Sequence, residues 1–388
     1  MWRESRRLQE ISLADIRVVF DKANQLEAQG RDIIHMEIGR PDFDTPEIIK
    51  ESAKKALDQG RVHYTSNHGL KRLREVFAEK LSRENGIDVG AEGIIVTTGA
   101  MMALSTAVLG LVDAGEEVMI PSPGYPSFFK QVRLANAIPV DVPLKMEQNF
   151  RINREALEKS CTDRTKLLII NSPNNPTGAV QDRQALEEVA EFAREKDILV
   201  LSDECYEKYV FEGEHVSIAS LPGMQERTVT VHSTSKTYSM TGWRIGFVAA
   251  LPKIIDSIVK VPQNMILSAT SFAQAGSITA FEQGDELIQP MIEAFAERRE
   301  IVLSYLDKMP GIKFAEPGGG FYVFPDISGT GLKPMEFCEY ILEEAGVAVV
   351  PGEDFGESGK GKIRIAFTCS TEEVEEGMQR MLEAVKKL

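Results

Sequence analysis

Short β-branched and largely apolar runs punctuate the middle of this chain at residues 94–97, 118–121, 167–171, 198–202, 228–232 and 246–250. Most are continuous stretches of Val, Ile and Leu rather than alternating ones, which suits a sheet covered on both faces. Between them lie stretches with helical spacing, such as 103–112 and 183–196. Strand-length runs alternating with helices predict an α/β fold, with a mostly parallel sheet between helices.

The tail reads differently. Ile288, Met291, Ile292 and Phe295 repeat at helical spacing and predict one long helix over 286–308. A Gly-rich turn at 317–320, short strands at 321–324 and 363–367, and a final amphipathic helix from about Thr371 follow. That is an α+β pattern. With 388 residues, and about 100–200 per domain, two or three domains are expected. The reading places an N-terminal segment at 1–44 packing with the small domain, a large domain at 45–284, and a small C-terminal domain at 285–388.

The formal net charge of −15 argues against nucleic acid and anionic membrane as partners. No 18-residue apolar stretch predicts a membrane span, and no apolar region follows the charged opening MWRESRRLQE. Cys161, Cys205, Cys338 and Cys369 form no CxxC pair, which suggests neither a zinc knuckle nor a disulfide framework. His63 and His68 read as two surface histidines rather than a metal pair. A reducing, cytoplasmic compartment is expected.

Most α/β enzymes bind phosphate, so the cradle is the next question. No GxGxxG follows a strand, which weakens a nicotinamide dehydrogenase reading. The run 356–362 (GESGKGK) has Ile363 where a P-loop needs Ser or Thr for magnesium, and reads as a surface loop. Thr97-Thr98-Gly99-Ala100-Met101 lies between a strand and an apolar helix. Small residues there expose the first backbone N–H groups, and the helix dipole favours an anion. Many α/β turns share this feature.

The segment from Ser233 through Lys236, Gly242, Trp243 and Arg244 to Phe247 is more specific. It follows a strand, so it sits at the sheet edge where α/β ligands bind. Lys236 has hydroxyl neighbours and no acid beside it, which suits a nucleophilic or Schiff-base lysine. The string SxSKxxxMxGWRxGF resembles the Schiff-base lysine signature of class I/II (fold type I) pyridoxal-phosphate aminotransferases. Further matches come in the family's order: Tyr64, Gly69 and Leu73-Arg74; Pro123-Gly124-Tyr125-Pro126; Asn174-Asn175-Pro176-Thr177-Gly178; Ser202-Asp203-Glu204-Cys205-Tyr206; and Ile363-Arg364-Ile365-Ala366-Phe367. The resemblance covers about residues 35–370.

This resemblance implies a large domain with a seven-stranded type of sheet, and pyridoxal 5'-phosphate as cofactor. Lys236 would form the Schiff base and carry the proton once substrate displaces it. Asp203 would pair with the pyridinium nitrogen; an Asp at such a turn also serves as a cap. Tyr206 and Asn175 would bond the ring's phenolic oxygen. Ser233 and Arg244, with the N–H groups of Ala100 and Met101, would hold the phosphate; Ser235 either helps or serves the backbone. Tyr125 would stack on the ring. Tyr64 would reach the neighbouring subunit's phosphate, which makes a homodimer the expected unit. Arg364 would clamp the substrate's α-carboxylate, with Gly39 letting backbone approach it.

Two residues depart from the family's pattern. Arg40 stands where relatives carry Glu or Gln, and reads as a solvated arginine. Met101 stands where relatives preferring aspartate or prephenate often carry Lys; a thioether suits an uncharged side chain or tolerates several. Ile16, in the segment resembling the one that closes over substrate, is a candidate pocket residue. The expected reaction is ping-pong transfer of an amino group from an L-amino acid to a 2-oxo acid, with 2-oxoglutarate the expected acceptor. A C–S β-lyase or other eliminating enzyme on the same fold stays open. A cofactor-binding sensor fused to a DNA-binding module is disfavoured by the net charge, and because the chain opens at the family's first element.

Overall fold

The computed structural model describes residues 2–11 and 15–388, with side chains from 17 onward in the second span. A seven-stranded sheet carries the middle of the chain. In chain order the strands are β1 (Ile34–His35), β2 (Ile94–Thr97), β3 (Glu117–Ser122), β4 (Ile138–Pro143), β5 (Thr165–Asn171), β6 (Leu199–Asp203), β7 (Thr228–Ser233), β8 (Gly246–Ala249), β9 (Tyr322–Val323), β10 (Val347–Ala348), β11 (Val350–Pro351) and β12 (Ile363–Ala366). The large sheet runs β2-β8-β7-β6-β5-β3-β4. Its pairs are parallel except where β8 runs antiparallel to both β2 and β7. Every residue of β2, β3, β7 and β8 is buried, including Glu117 of β3 and the polar Thr228, Thr230, His232 and Ser233 of β7.

One strand of the large sheet was not legible, nor were the two-residue strands β1, β10 and β11. β4 lies at the sheet edge, mostly half-buried or exposed, with Pro139 and Pro143 inside it. Proline cannot donate to a ladder and is tolerated only where a strand lacks one neighbour. The helix Arg183–Glu195 packs Ala185, Leu186, Val189, Ala190, Phe192 and Ala193 inward. Asp182 starts it by accepting the Ala185 N–H. Each large aliphatic side chain so buried contributes roughly 1.5–3 kcal/mol of transfer free energy.

The second layer joins the two ends of the chain. β1 pairs in parallel with β10, Ile34 opposite Val347 and His35 opposite Ala348. β11-β12-β9 form an antiparallel sheet. The expected helix over 286–308 is instead a short 3-10 turn, Gly284–Leu287, and then the helix Gln289–Leu306. Pro290 in its first turn sets the break, because proline fits a helix start and lacks the N–H that a continuing helix needs. The last helix, Thr371–Val385, begins at a reciprocal cap in which Ser370 and Glu373 each accept the other's N–H. Residues 36–42 run between the layers: the Ala366 N–H donates to Met36 O at 2.8 Å, and Arg298 grips both carboxylate oxygens of Asp42 at 2.7 and 2.9 Å. Among the described residues no helix is long and apolar enough to cross a membrane.

Candidate active site

A cavity of about 670 Å³ opens at the C-terminal ends of the large-sheet strands. Asn171 ends β5, Asp203 ends β6 and Ser233 ends β7, and all three line it. Sheet register sets their spacing: Gly246 of β8 lies opposite both Thr97 and Ser233. The helix Gly99–Leu111 therefore starts beside the strand end that carries Ser233.

That helix starts four residues earlier than its apolar pattern suggested, which places Ala100 and Met101 in its first turn. Thr98 precedes it without a side-chain cap, so the first N–H groups remain available to a ligand. Side-chain-free backbone makes the approach. A Cβ on Gly246 would sit 2.5 Å from Ala100 N, and one on Gly99 would sit 2.3 Å from Arg244 Nη2. Arg244 adopts a left-handed backbone (φ 57°) and donates from Nη1 to Thr241 O at 2.8 Å. Among the described residues no carboxylate pairs with it. A guanidinium, an uncapped helix start and small residues make a cradle sized for phosphate.

Lys236 stands on the short helix Thr234–Thr237 and reaches across to donate from Nζ to Gly39 O. Burial first, opposed by Cys205 and then reinforced by the charges of Arg364, Arg244 and Arg40, brings its pKa down to about 8. Arg364, on β12, donates to Asn175 Oδ1 at 3.1 Å and to Glu37 O, and its Nε is buried without a partner. Its guanidinium lies 4.8 Å from the Tyr322 ring and 5.2 Å from that of Phe355. Asp203 is buried, and its carboxyl is pushed up to about 6, mainly by desolvation. It accepts the Cys205 N–H at 3.1 Å, a local turn bond of the kind an Asp makes at such a position.

The structure brings Gly39, Ala100, Met101, Tyr125, Asn175, Asp203, Tyr206, Ser233, Ser235, Lys236, Arg244 and Arg364 to this one cavity. Ser233 donates its hydroxyl to Ile245 O at 3.0 Å and accepts the Ser235 N–H, so backbone already occupies it. Tyr64 is 84% exposed and is not a wall residue of this chain's cavity, and Arg40 is exposed as well. The Ile16 side chain lies outside the described residues, but Arg17 and Phe20 of the helix Asp15–Ala28 line the mouth. Tyr322 was missed. Its hydroxyl is 2.9 Å from that of Tyr206, and a Cβ on Gly39 would fall 1.8 Å from it. Only its place after the Gly-rich turn hinted at a role.

The residues 31–381 match the family model "Aminotransferase class I and II". The chain belongs to this family. It is 44% identical over 387 residues to the aspartate aminotransferase of Pyrococcus abyssi, covering 99% of this chain and 98% of that one. It is 43% identical over 387 residues to aromatic-amino-acid aminotransferase 2 of Thermococcus litoralis, with the same coverage. The crystal structure of a Pyrococcus protein designated A1 superposes with a TM-score of 0.95 at 45% identity, covering 98% of each chain. The chain is a pyridoxal-phosphate-dependent aminotransferase. Its own residues fit that cofactor: a phosphate cradle at Gly99 and Arg244, a lysine with a depressed pKa, and a buried carboxylate with no cation within salt-bridge distance among the described residues.

Proposed function

We propose that this enzyme moves the amino group of an L-amino acid to a 2-oxo acid, 2-oxoglutarate first among acceptors, by a ping-pong mechanism. The observation that carries this reading is the convergence of Lys236, Asp203 and Arg364 on one cavity beside the Gly99–Arg244 cradle. Arg364 serves both half-reactions, so both substrates carry an α-carboxylate. It has donors to offer, with Nε unpartnered and Nη1 held only by the neutral Asn175.

Pyridoxal phosphate, when bound, supplies the electron sink for the pair left on the amino acid's Cα. Asp203 holds the proton of the ring nitrogen as a charge-assisted hydrogen bond, which removes the cost of its own burial. Tyr206 and Asn175 would orient the ring through its phenolic oxygen, and Tyr125 would pack against it. Arg244 and the N–H groups of Ala100 and Met101 hold the phosphate. The Ser235 hydroxyl joins them, because that of Ser233 is engaged by Ile245. Lys236 would carry the proton between Cα and the cofactor's C4′, and its pKa of about 8 leaves an unprotonated fraction at neutral pH.

The side-chain subsite takes uncharged groups or several kinds. Met101 stands at its wall, its sulfur 3.8 Å from the Tyr125 hydroxyl and 3.7 Å from Gln131 Nε2. The similar enzymes named for aspartate and for aromatic amino acids are consistent with such breadth. By the same reading residues 45–284 form the cofactor-binding domain, and residues 1–44 pack with 285–388. The β1–β10 pairing supports that division. The working unit is a cytoplasmic homodimer in which exposed Tyr64 reaches the neighbouring phosphate; four unpaired cysteines suit a reducing compartment.

The test is the absorption spectrum of the cofactor-loaded protein against a panel of amino acids, repeated with Lys236→Ala and Arg364→Ala. Lys236→Ala is expected to lose both the bound-cofactor band and transamination. Arg364→Ala is expected to raise KM for amino and oxo acids alike, by roughly 100-fold for a bidentate charged pair. An unchanged KM means the α-carboxylate is held elsewhere. A spectrum that answers only cysteine conjugates, with pyruvate and ammonia released, overturns the transaminase in favour of the lyase.

A further inference from the structure

Behind the cavity wall lies a buried cluster of charged groups that the reaction scheme does not use. The turn after β6 faces two ways. Asp203, Cys205 and Tyr206 line the cavity, while Glu204 and Glu207 point away from it. Glu204 is 1% exposed. Its Oε1 accepts from Ser202 Oγ at 2.9 Å, and its Oε2 accepts from Ser217 Oγ and from His215 Nε2 at 3.0 Å. Glu207 accepts from Lys80 Nζ and from Asn85 Nδ2 at 2.7 Å. His232, next to Ser233, sits between them, with Nε2 3.6 Å from Glu204 and Nδ1 3.5 Å from Glu207.

Ligand atoms of Glu204, Glu207 and His215 lie within 4.8 Å of one another, the spacing of a metal site. The donors argue otherwise. Every carboxylate oxygen of the two glutamates already accepts a hydrogen bond, and the Lys80 ammonium already pairs with Glu207. The charges balance without a metal. Lys80 offsets Glu207, with Glu84 and Lys208 at the edge of the same group. Burial opposes a charge on His215, but the Glu204 carboxylate outweighs it and raises the pKa. Burial keeps His232 neutral, near 4.

Stability is a poor reason for such a cluster, because desolvating paired charges costs about what their attraction returns. Its position suggests another. Glu204 is bonded in sequence to Asp203, and its backbone N–H donates to Val231 O of β7 at 2.9 Å. The turn carrying Asp203 and Tyr206 is thus pinned from behind to the strand that carries Ser233.

We propose that Glu204 and His215 form a positioning pair for Asp203: the pair fixes the turn, and its balanced charge sets how much of a shared proton rests on the cofactor's ring nitrogen rather than on Asp203. Neither residue touches substrate. This rests on the assignment of Asp203 above. A negative charge beside Asp203 raises the carboxylate's hold on the shared proton and draws it off the ring nitrogen, and a positive one returns it. Removing one member of the pair therefore acts with opposite sign to removing the other.

The experiment loads the full chain with pyridoxal phosphate labelled with ¹⁵N at the ring nitrogen and records its chemical shift at fixed pH. Glu204→Gln is expected to move the shift toward the fully protonated value, with KM for the amino acid within about twofold. His215→Gln keeps a hydrogen-bond donor to Glu204 but no charge; it is expected to move the shift toward the unprotonated value and to lower kcat roughly tenfold, as one pKa unit implies. Shifts in the same direction for both variants, or none in either, overturn the proposal, since a merely structural role has no reason to change sign. Asp203→Asn must abolish the protonated signal. If it does not, the assignment of Asp203 fails, and the pair's role with it. Should either variant fold poorly, the ¹H–¹⁵N spectrum of His215 in the intact enzyme decides: a neutral imidazole at pH 7 overturns the pairing.

Discussion

Asp203 sits in the fold at a cost to stability. Its carboxyl is raised from 3.8 to about 6, chiefly by burial. Between those values the folded chain holds more protons than the unfolded one. The contribution of this group to stability is therefore greatest at low pH and is lost as pH rises through about 6. In the cofactor-free chain Asp203→Asn is expected to raise stability at pH 7.5 by about 3 kcal/mol, with the gain fading as pH falls towards 4. The same substitution is expected to cut transamination at least a hundredfold. Urea denaturation at several pH values checks the first expectation, and steady-state rates check the second. A variant no more stable than the parent means another cation already meets this carboxylate. Such opposition between stability and activity is expected where a charge is buried to await a ligand.

Among elements, the junction of β2 with the helix Gly99–Leu111 bears most directly on cofactor binding. Gly99 has φ +74°, which other residues adopt at a cost, and its missing side chain leaves room for the Arg244 guanidinium. Gly99→Ala forces the arginine aside and strains the first turn. We expect the dissociation constant for pyridoxal phosphate to rise at least tenfold while the thermal midpoint falls only a few degrees, read by equilibrium dialysis and calorimetry. A midpoint loss without an affinity loss means the helix start is structural and the phosphate sits elsewhere. This junction was partly legible. The small residues after an apolar run marked it, but the helix begins before its apolar face does, because Gly99 through Met101 carry no core-facing pattern of their own.

At the scale of the whole molecule, the exposure of Tyr64 bears on assembly. The residue is 84% exposed, far more than is usual for tyrosine, and nearby Val62 is 56% exposed. A homodimer that buries them is expected to sediment at twice the chain mass, and Tyr64→Phe to weaken cofactor binding roughly tenfold, as loss of one hydrogen bond to a charged group implies. A monomer with unchanged affinity removes Tyr64 from the site. Composition and periodicity bear on fold class but not on such contacts. The strand runs, the α/β order and the starts of the helices Arg183–Glu195 and Thr371–Val385 were legible, because burial of both strand faces and helix capping are local demands written in neighbouring residues. The motif residues Lys236, Asp203, Asn175 and Arg364 were legible as strings of side chains with their chemistry attached. What only the tertiary structure decided is which groups meet. Tyr322 bonds Tyr206 because β9 of the small sheet approaches the large one, Ser233 turns to Ile245, and Lys80, Glu204, His215 and His232 gather from separate elements. Local pattern sets where a strand ends. The order in which strands lie side by side comes from packing across the whole chain, and that order selects the partners.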